Sequence, residues 1–172
     1  MSDPAPAPII VTALFGASEQ QWFDRQRQAH FPPERNHLPA HLTLFHHLPP
    51  GLAAELSQRL RAETRGVAAP TARVMRPYAL GHGVAYRIES DGLAQIRARL
   101  VDAFAGLLVP QDAAGGWRAH VTVQNKVEPA VARALLTMLE RDFRPRPVAI
   151  AGLAAWWYRG GPWEPLSRHM FG

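Results

Sequence analysis

Apolar residues along this chain follow two rhythms, and the switches between them mark out the elements. Pro8 to Phe15 (PIIVTALF) is a β-branched run that predicts a buried strand. Ser18-Glu19-Gln20-Gln21 then has the Ser-x-x-Gln capping pattern. It predicts a helix to about His30, stopped by Pro32-Pro33. A second apolar strand is expected over Leu38 to Leu48, ended by Pro49-Pro50-Gly51. Leu52, Leu56 and Leu60 recur every four residues on a helix to about Arg65, with Gly66 as its stop. Thr71 to Tyr78 and Val84 to Glu89 read as short strands around the turn Gly81-His82-Gly83, a hairpin signal. Leu93, Ile96, Leu100, Phe104 and Leu107 trace an amphipathic helix. A strand follows over Trp117 to Val127, and then a helix opened by Pro129 with the stripe Val131, Leu135, Met138, Leu139. Strands over Pro147 to Tyr158 and Trp163 to Phe171 close the chain, joined by Gly160-Gly161-Pro162.

Strand, helix, strand, helix, strand is thus read twice, with one strand added at the end. The central strands of the two runs hold His41-Leu42-Thr43-Leu44 and His120-Val121-Thr122-Val123, whose histidines are 79 positions apart. The expected fold is α+β: two pseudo-symmetric lobes, each an antiparallel or mixed sheet with helices on its outer face, and the His-x-Thr strands lining a central cleft. Residues 1–8 (MSDPAPAP) read as an extended, disordered leader without a signal-peptide pattern. Residues 9–172 read as a single bilobal domain, lobe one over about 9–80 and lobe two over about 82–172.

Composition narrows the function classes. In 172 residues, 47% are hydrophobic and 19% charged, enough for a core and too little charge for a disordered chain. No apolar run approaches the roughly 18 residues of a membrane helix. With no cysteine there are no disulfides, thiolate metal sites or cysteine nucleophiles, and a cytoplasmic setting is expected. The net charge of +5, carried almost wholly by arginine, favours an anionic partner. Arg59, Arg61, Arg65, Arg97, Arg99, Arg133 and Arg141 read as solvated helix faces.

The paired motifs carry the chemistry. Residues i and i+2 of a strand share a face, so His41 and Thr43 point together, as do His120 and Thr122, while Leu42, Leu44, Val121 and Val123 point into the core. Composition alone gives about 0.3 His-x-Thr matches by chance, so two matches with apolar alternates at corresponding positions of a repeat stand out. An imidazole titrates near neutral pH, so one histidine can take a proton from an attacking water while another gives one to the leaving oxygen. Threonine hydroxyls can donate to the non-bridging oxygens of a phosphate. The set suits phosphodiester cleavage without a metal.

Two such motifs, in the contexts Pro39-Ala40-His41-Leu42-Thr43-Leu44-Phe45 and Trp117-Arg118-Ala119-His120-Val121-Thr122-Val123, resemble the two-histidine (2H) phosphoesterase superfamily, specifically its 2′-5′ RNA ligase-like branch. The resemblance runs from about Pro8 to Phe171. Relatives often have proline before the second histidine, where this chain has Ala119. The resemblance implies His41 and His120 as catalytic residues and Thr43 and Thr122 as phosphate-binding ones. It implies metal-independent hydrolysis, or reversible ligation, of 2′,3′-cyclic or 2′-5′-linked phosphodiesters in RNA ends or small nucleotides. A monomer without cofactor or membrane association is expected. The rival is a non-catalytic RNA- or nucleotide-binding module on the same fold, which would have no need of two proton-transfer groups.

Alternation alone places the other candidates. Arg118 falls on the His120 face, within reach of a phosphate oxygen, and Phe45 continues the His41 and Thr43 face as a candidate pocket wall or stacking surface. Histidines 37, 41, 46 and 47 crowd one segment, but a regular strand sends His46 to the face opposite His41 and His47, so no metal site is expected there. Trp156, Trp157, Tyr158 and Trp163 flank the last hairpin and read as core and sheet edge more than as a base-stacking platform.

Overall fold

The computed structural model describes residues 6–172. The chain runs β1 (Ile9–Phe15), α1 (Ala17–His30), β2 (Leu42–Leu48), α2 (Ala53–Thr64), β3 (Arg73–Ala79), β4 (Val84–Glu89), α3 (Asp91–Ala103), α4 (Pro110–Ala113), β5 (His120–Gln124), α5 (Pro129–Asp142), β6 (Arg146–Pro147), β7 (Ile150–Trp157) and β8 (Glu164–Met170). Its strands form two four-stranded antiparallel sheets, in the orders β2-β1-β7-β8 and β5-β4-β3-β6. The fold is α+β with two lobes, and the His-x-Thr strands β2 and β5 are the edge strands that meet between the sheets.

The sheets are not consecutive halves of the chain. β3 pairs with β4 across Gly81-His82-Gly83, and the C-terminal β7 and β8 return to β1. A boundary near residue 80 therefore corrects to interleaved lobes, because a tight hairpin obliges its two strands to share a sheet. Gly83 is needed at the end of this turn, since a Cβ there would run into the Gln124 carbonyl of β5. The expected leader falls mostly outside the described residues. Its last two residues are tied down, Ala7 being buried and the Pro8 carbonyl accepting the Tyr158 N–H at 3.0 Å.

One continuous core joins the sheets to the helices, with Phe23, Phe45 and Phe104 fully buried in it. Tertiary contacts partly override the local signals. Gly16, not Ser18, caps α1, and the Ser18 hydroxyl turns to Glu19 instead. In α5 the buried residues are Ala132 and Leu135, leaving Val131 and Met138 half exposed.

Candidate active site

His41 stands one residue before β2, and His120 is the first residue of β5. Helix α1 fixes the approach to His41: the Asp24 carboxylate accepts the Ala40 N–H at 2.7 Å, and Gln20 donates to the Ala40 carbonyl at 2.9 Å. Two buried arginines hold the strands themselves. Arg27 of α1 donates to the Thr122 carbonyl at 3.2 Å, and Arg97 of α3 donates to the Leu44 and Asp112 carbonyls, both at 2.9 Å. Arg97 also stacks over Phe45 and Trp117, so it is a core clamp and not the solvated residue its helix pattern suggested.

The structure brings His41, Thr43, His120 and Thr122 to one cavity of about 190 Å³, which Ile10, His46 and Trp163 complete. Both catalytic candidates are held alike. His41 Nδ1 lies 2.9 Å from the Pro39 carbonyl, and His120 Nδ1 lies 2.7 Å from the Arg118 carbonyl, each two residues earlier. A carbonyl only accepts, so each Nδ1 carries a hydrogen and each Nε2 is the free, proton-exchanging nitrogen. Each ring also meets an aromatic edge-on, His41 against Trp163 at 4.7 Å and His120 against Tyr78 at 6.2 Å. Burial, opposed by the Pro39 hydrogen bond and reinforced by Arg27, His120 and His46, pushes the His41 imidazole down to about 4. It is neutral at ordinary pH.

Two expectations are corrected by one irregularity. β1 pairs Thr12 with Thr43 but Val11 with Phe45, so a bulge in β2 sets two residues against one. Leu44 and Phe45 both turn into the core, where Phe45 is fully buried and no pocket wall. The same bulge delivers His46 to the cleft. Its Nδ1 meets buried Asp112 at 3.1 Å, and the Asp112 carboxylate also accepts the His46 and His47 backbone N–H groups at 2.9 Å. Burial alone would raise that carboxyl, but these hydrogen bonds hold it below its ordinary value. Among the described residues, no group of three His, Asp or Glu is disposed to hold a metal ion. None of the helices described is long and apolar enough to cross a membrane.

Arg118 is exposed and lines an adjoining hollow with Tyr78 and not the four-residue cavity itself. Trp163 and Trp156, with Pro39, Leu38 and Pro162, wall an apolar cavity of about 390 Å³ that shares His41 with the catalytic one. Sequence reading missed Asp112, since nothing in Gln111-Asp112-Ala113 signals a partner 66 residues earlier.

A family model described as the 2′-5′ RNA ligase superfamily matches residues 15–162. Among solved structures, TT0787 of Thermus thermophilus is 13% identical with a TM-score of 0.62, over 95% of this chain and 97% of that one. LigT of E. coli in its apo form is 16% identical with a TM-score of 0.60, over 98% of this chain and 99% of that one. The same protein complexed with 3′-AMP is 17% identical with a TM-score of 0.59, over 96% and 98% of the two chains. At these identities the likeness is one of fold. No curated protein matches the sequence significantly.

Proposed function

Because the chain belongs to the 2′-5′ RNA ligase superfamily, we propose that it is a metal-independent phosphodiesterase acting on 2′,3′-cyclic or 2′-5′-linked phosphodiesters of RNA ends or small nucleotides. The observation that carries this reading is the matched pair of imidazoles, each with Nδ1–H spent on a backbone carbonyl and Nε2 free at one cavity. LigT complexed with 3′-AMP supports a nucleotide ligand for the fold.

The lowered His41 imidazole supports one division of roles. His41, held neutral by its burial, is the general base: its Nε2 takes a proton as the water oxygen forms the new bond to phosphorus. His120, in its protonated form, is the acid: its Nε2 gives a proton to the ribose oxygen as the P–O bond breaks. Thr43 and Thr122 donate hydroxyl hydrogen bonds to the non-bridging oxygens, where negative charge must be held. Run backwards through the same groups, the step joins a hydroxyl to a phosphate. The test is a panel of cyclic and 2′-5′-linked phosphodiesters, with chelator present, against wild type and His120→Ala. Turnover by wild type, lost in the variant, is expected. Turnover that requires an added divalent ion, or that survives the substitution, overturns the proposal.

A further inference from the structure

Beside His120, across its contact with Tyr78, lies a separate hollow that the chemistry above does not use. β3, β4 and β5 pair so that Arg76 stands opposite Arg87, and Arg87 stands opposite His120. Directly paired residues project from the same face of a sheet, so Arg76, Arg87 and His120 form one row across three strands. Arg118 joins them from the segment leading into β5, and these three arginines with Tyr78 line a hollow of about 390 Å³. Tyr78 stands between the two sites. Its ring meets His120 edge-on, and its phenol lies within the field of all three guanidiniums.

Like charges placed directly opposite across a sheet oppose its stability, which makes the Arg76–Arg87 pair an expensive arrangement to keep for packing alone. Little offsets it. Glu89 is the one acid lining the hollow, and among the described residues no carboxylate pairs with Arg76, Arg87 or Arg118. Arg87 Nη1 is, in addition, buried without a hydrogen-bond partner. A buried guanidinium N–H that lacks an acceptor calls for one, which a water or an anion entering the hollow would supply. Guanidinium forks match phosphate oxygens bidentately, and three of them around one hollow define a polyanion seat.

We propose that this hollow is a second phosphate subsite, taking a phosphate group of the substrate that lies on the His120 side of the scissile phosphodiester. The proposal rests on the phosphodiesterase reading and sharpens it. The substrate class becomes a nucleotide bearing at least one further phosphate, not a bare cyclic mononucleotide. Neighbouring strands lie about 4.8 Å apart, so Arg87 is one strand and Arg76 two strands from His120, within the span of a single nucleotide. The extra phosphate has two sources, a terminal phosphate on a mononucleotide or the next linkage of an RNA strand.

The experiment compares kcat/KM for adenosine 2′,3′-cyclic phosphate, the same compound bearing a 5′-phosphate, and a short oligoribonucleotide ending in a 2′,3′-cyclic phosphate. Wild type is expected to favour the phosphate-bearing substrates by about 10- to 100-fold, the worth of a charge-assisted hydrogen bond. Arg87→Gln and Arg118→Gln should bring that ratio towards one, and Arg87→Lys should restore part of it. Preference for the oligonucleotide alone assigns the seat to an RNA linkage, and equal preference for both assigns it to any second phosphate. A wild-type ratio near one, or a ratio unmoved in both glutamine variants, overturns the subsite while cleavage of the bare cyclic nucleotide upholds the phosphodiesterase. If nothing is cleaved here, nor any 2′-5′-linked phosphodiester, the phosphodiesterase reading fails, and calorimetry decides the seat separately. Adenosine 3′,5′-bisphosphate should then bind wild type more tightly than adenosine 3′-phosphate and lose that advantage in Arg87→Gln; equal affinities overturn it. Arg118 is exposed, so its variant keeps the test open should Arg87→Gln fold poorly.

Discussion

Lowering the pH should destabilise this protein through His41 in a way that can be isolated. Burial carries the imidazole from an ordinary 6.5 down to about 4 in the folded chain. Between those two values the unfolded chain binds the extra proton and the folded chain does not. Stability therefore climbs as the pH rises through that window, is fully present above the upper value, and is lost as the pH falls towards the lower one. Each tenfold change in proton affinity is worth about 1.4 kcal/mol, so the full effect is about 3 kcal/mol. Discounting for the ring's partial access to water, about 2 kcal/mol should be lost between pH 7 and pH 4.5. The assay is urea unfolding at both pH values in wild type and His41→Asn, which cannot titrate there. Other acid-sensitive groups act on both proteins, so the difference between their pH slopes reports His41. Equal slopes in the two proteins would refute the burial argument, and with it the reason for making His41 the base.

Thr43→Val and Thr122→Val should each cost about 2–4 kcal/mol of transition-state stabilisation in kcat/KM with the fold unchanged, as for a lost oxyanion donor; full rates would mean that other donors hold the phosphate. Phe45→Ala should cost about 3–5 kcal/mol in chemical unfolding, because the ring is fully buried beneath Arg97. A loss under about 1 kcal/mol would mean that the β2 bulge does not turn this ring into the core.

What the sequence disclosed and what it hid divide along the range of the interaction. His41, Thr43, His120 and Thr122 were legible because alternation within a strand is local, and the repeat supplied the second copy. The bulge at Leu44 and Phe45 was not, since it depends on which residue of β1 lies opposite. One shifted residue exchanged the fates of Phe45 and His46. Arg97 looked like a helix-surface residue, yet its guanidinium reaches a carbonyl 53 positions away, and that of Arg27 reaches one 95 positions away, contacts that no periodicity encodes. Ser18 carried a capping signal that lost to Gly16, where the backbone N–H bonds the Ala149 carbonyl and fixes the start of α1. The interleaving of the sheets was half legible, for the Gly81-His82-Gly83 hairpin already required β3 and β4 to be partners.

The claim that two histidines share one proton-transfer reaction is tested most directly by the pH dependence of kcat/KM on a 2′,3′-cyclic nucleotide, measured for wild type, His41→Ala and His120→Ala. Wild type should trace a bell, falling on the acidic side as the base is protonated, towards pH 4 in keeping with buried His41, and on the alkaline side as the acid loses its proton. Each variant should fall by about 10²- to 10⁴-fold, His41→Ala losing the acidic limb and His120→Ala the alkaline one. A bell that keeps both limbs in either variant would contradict the pairing.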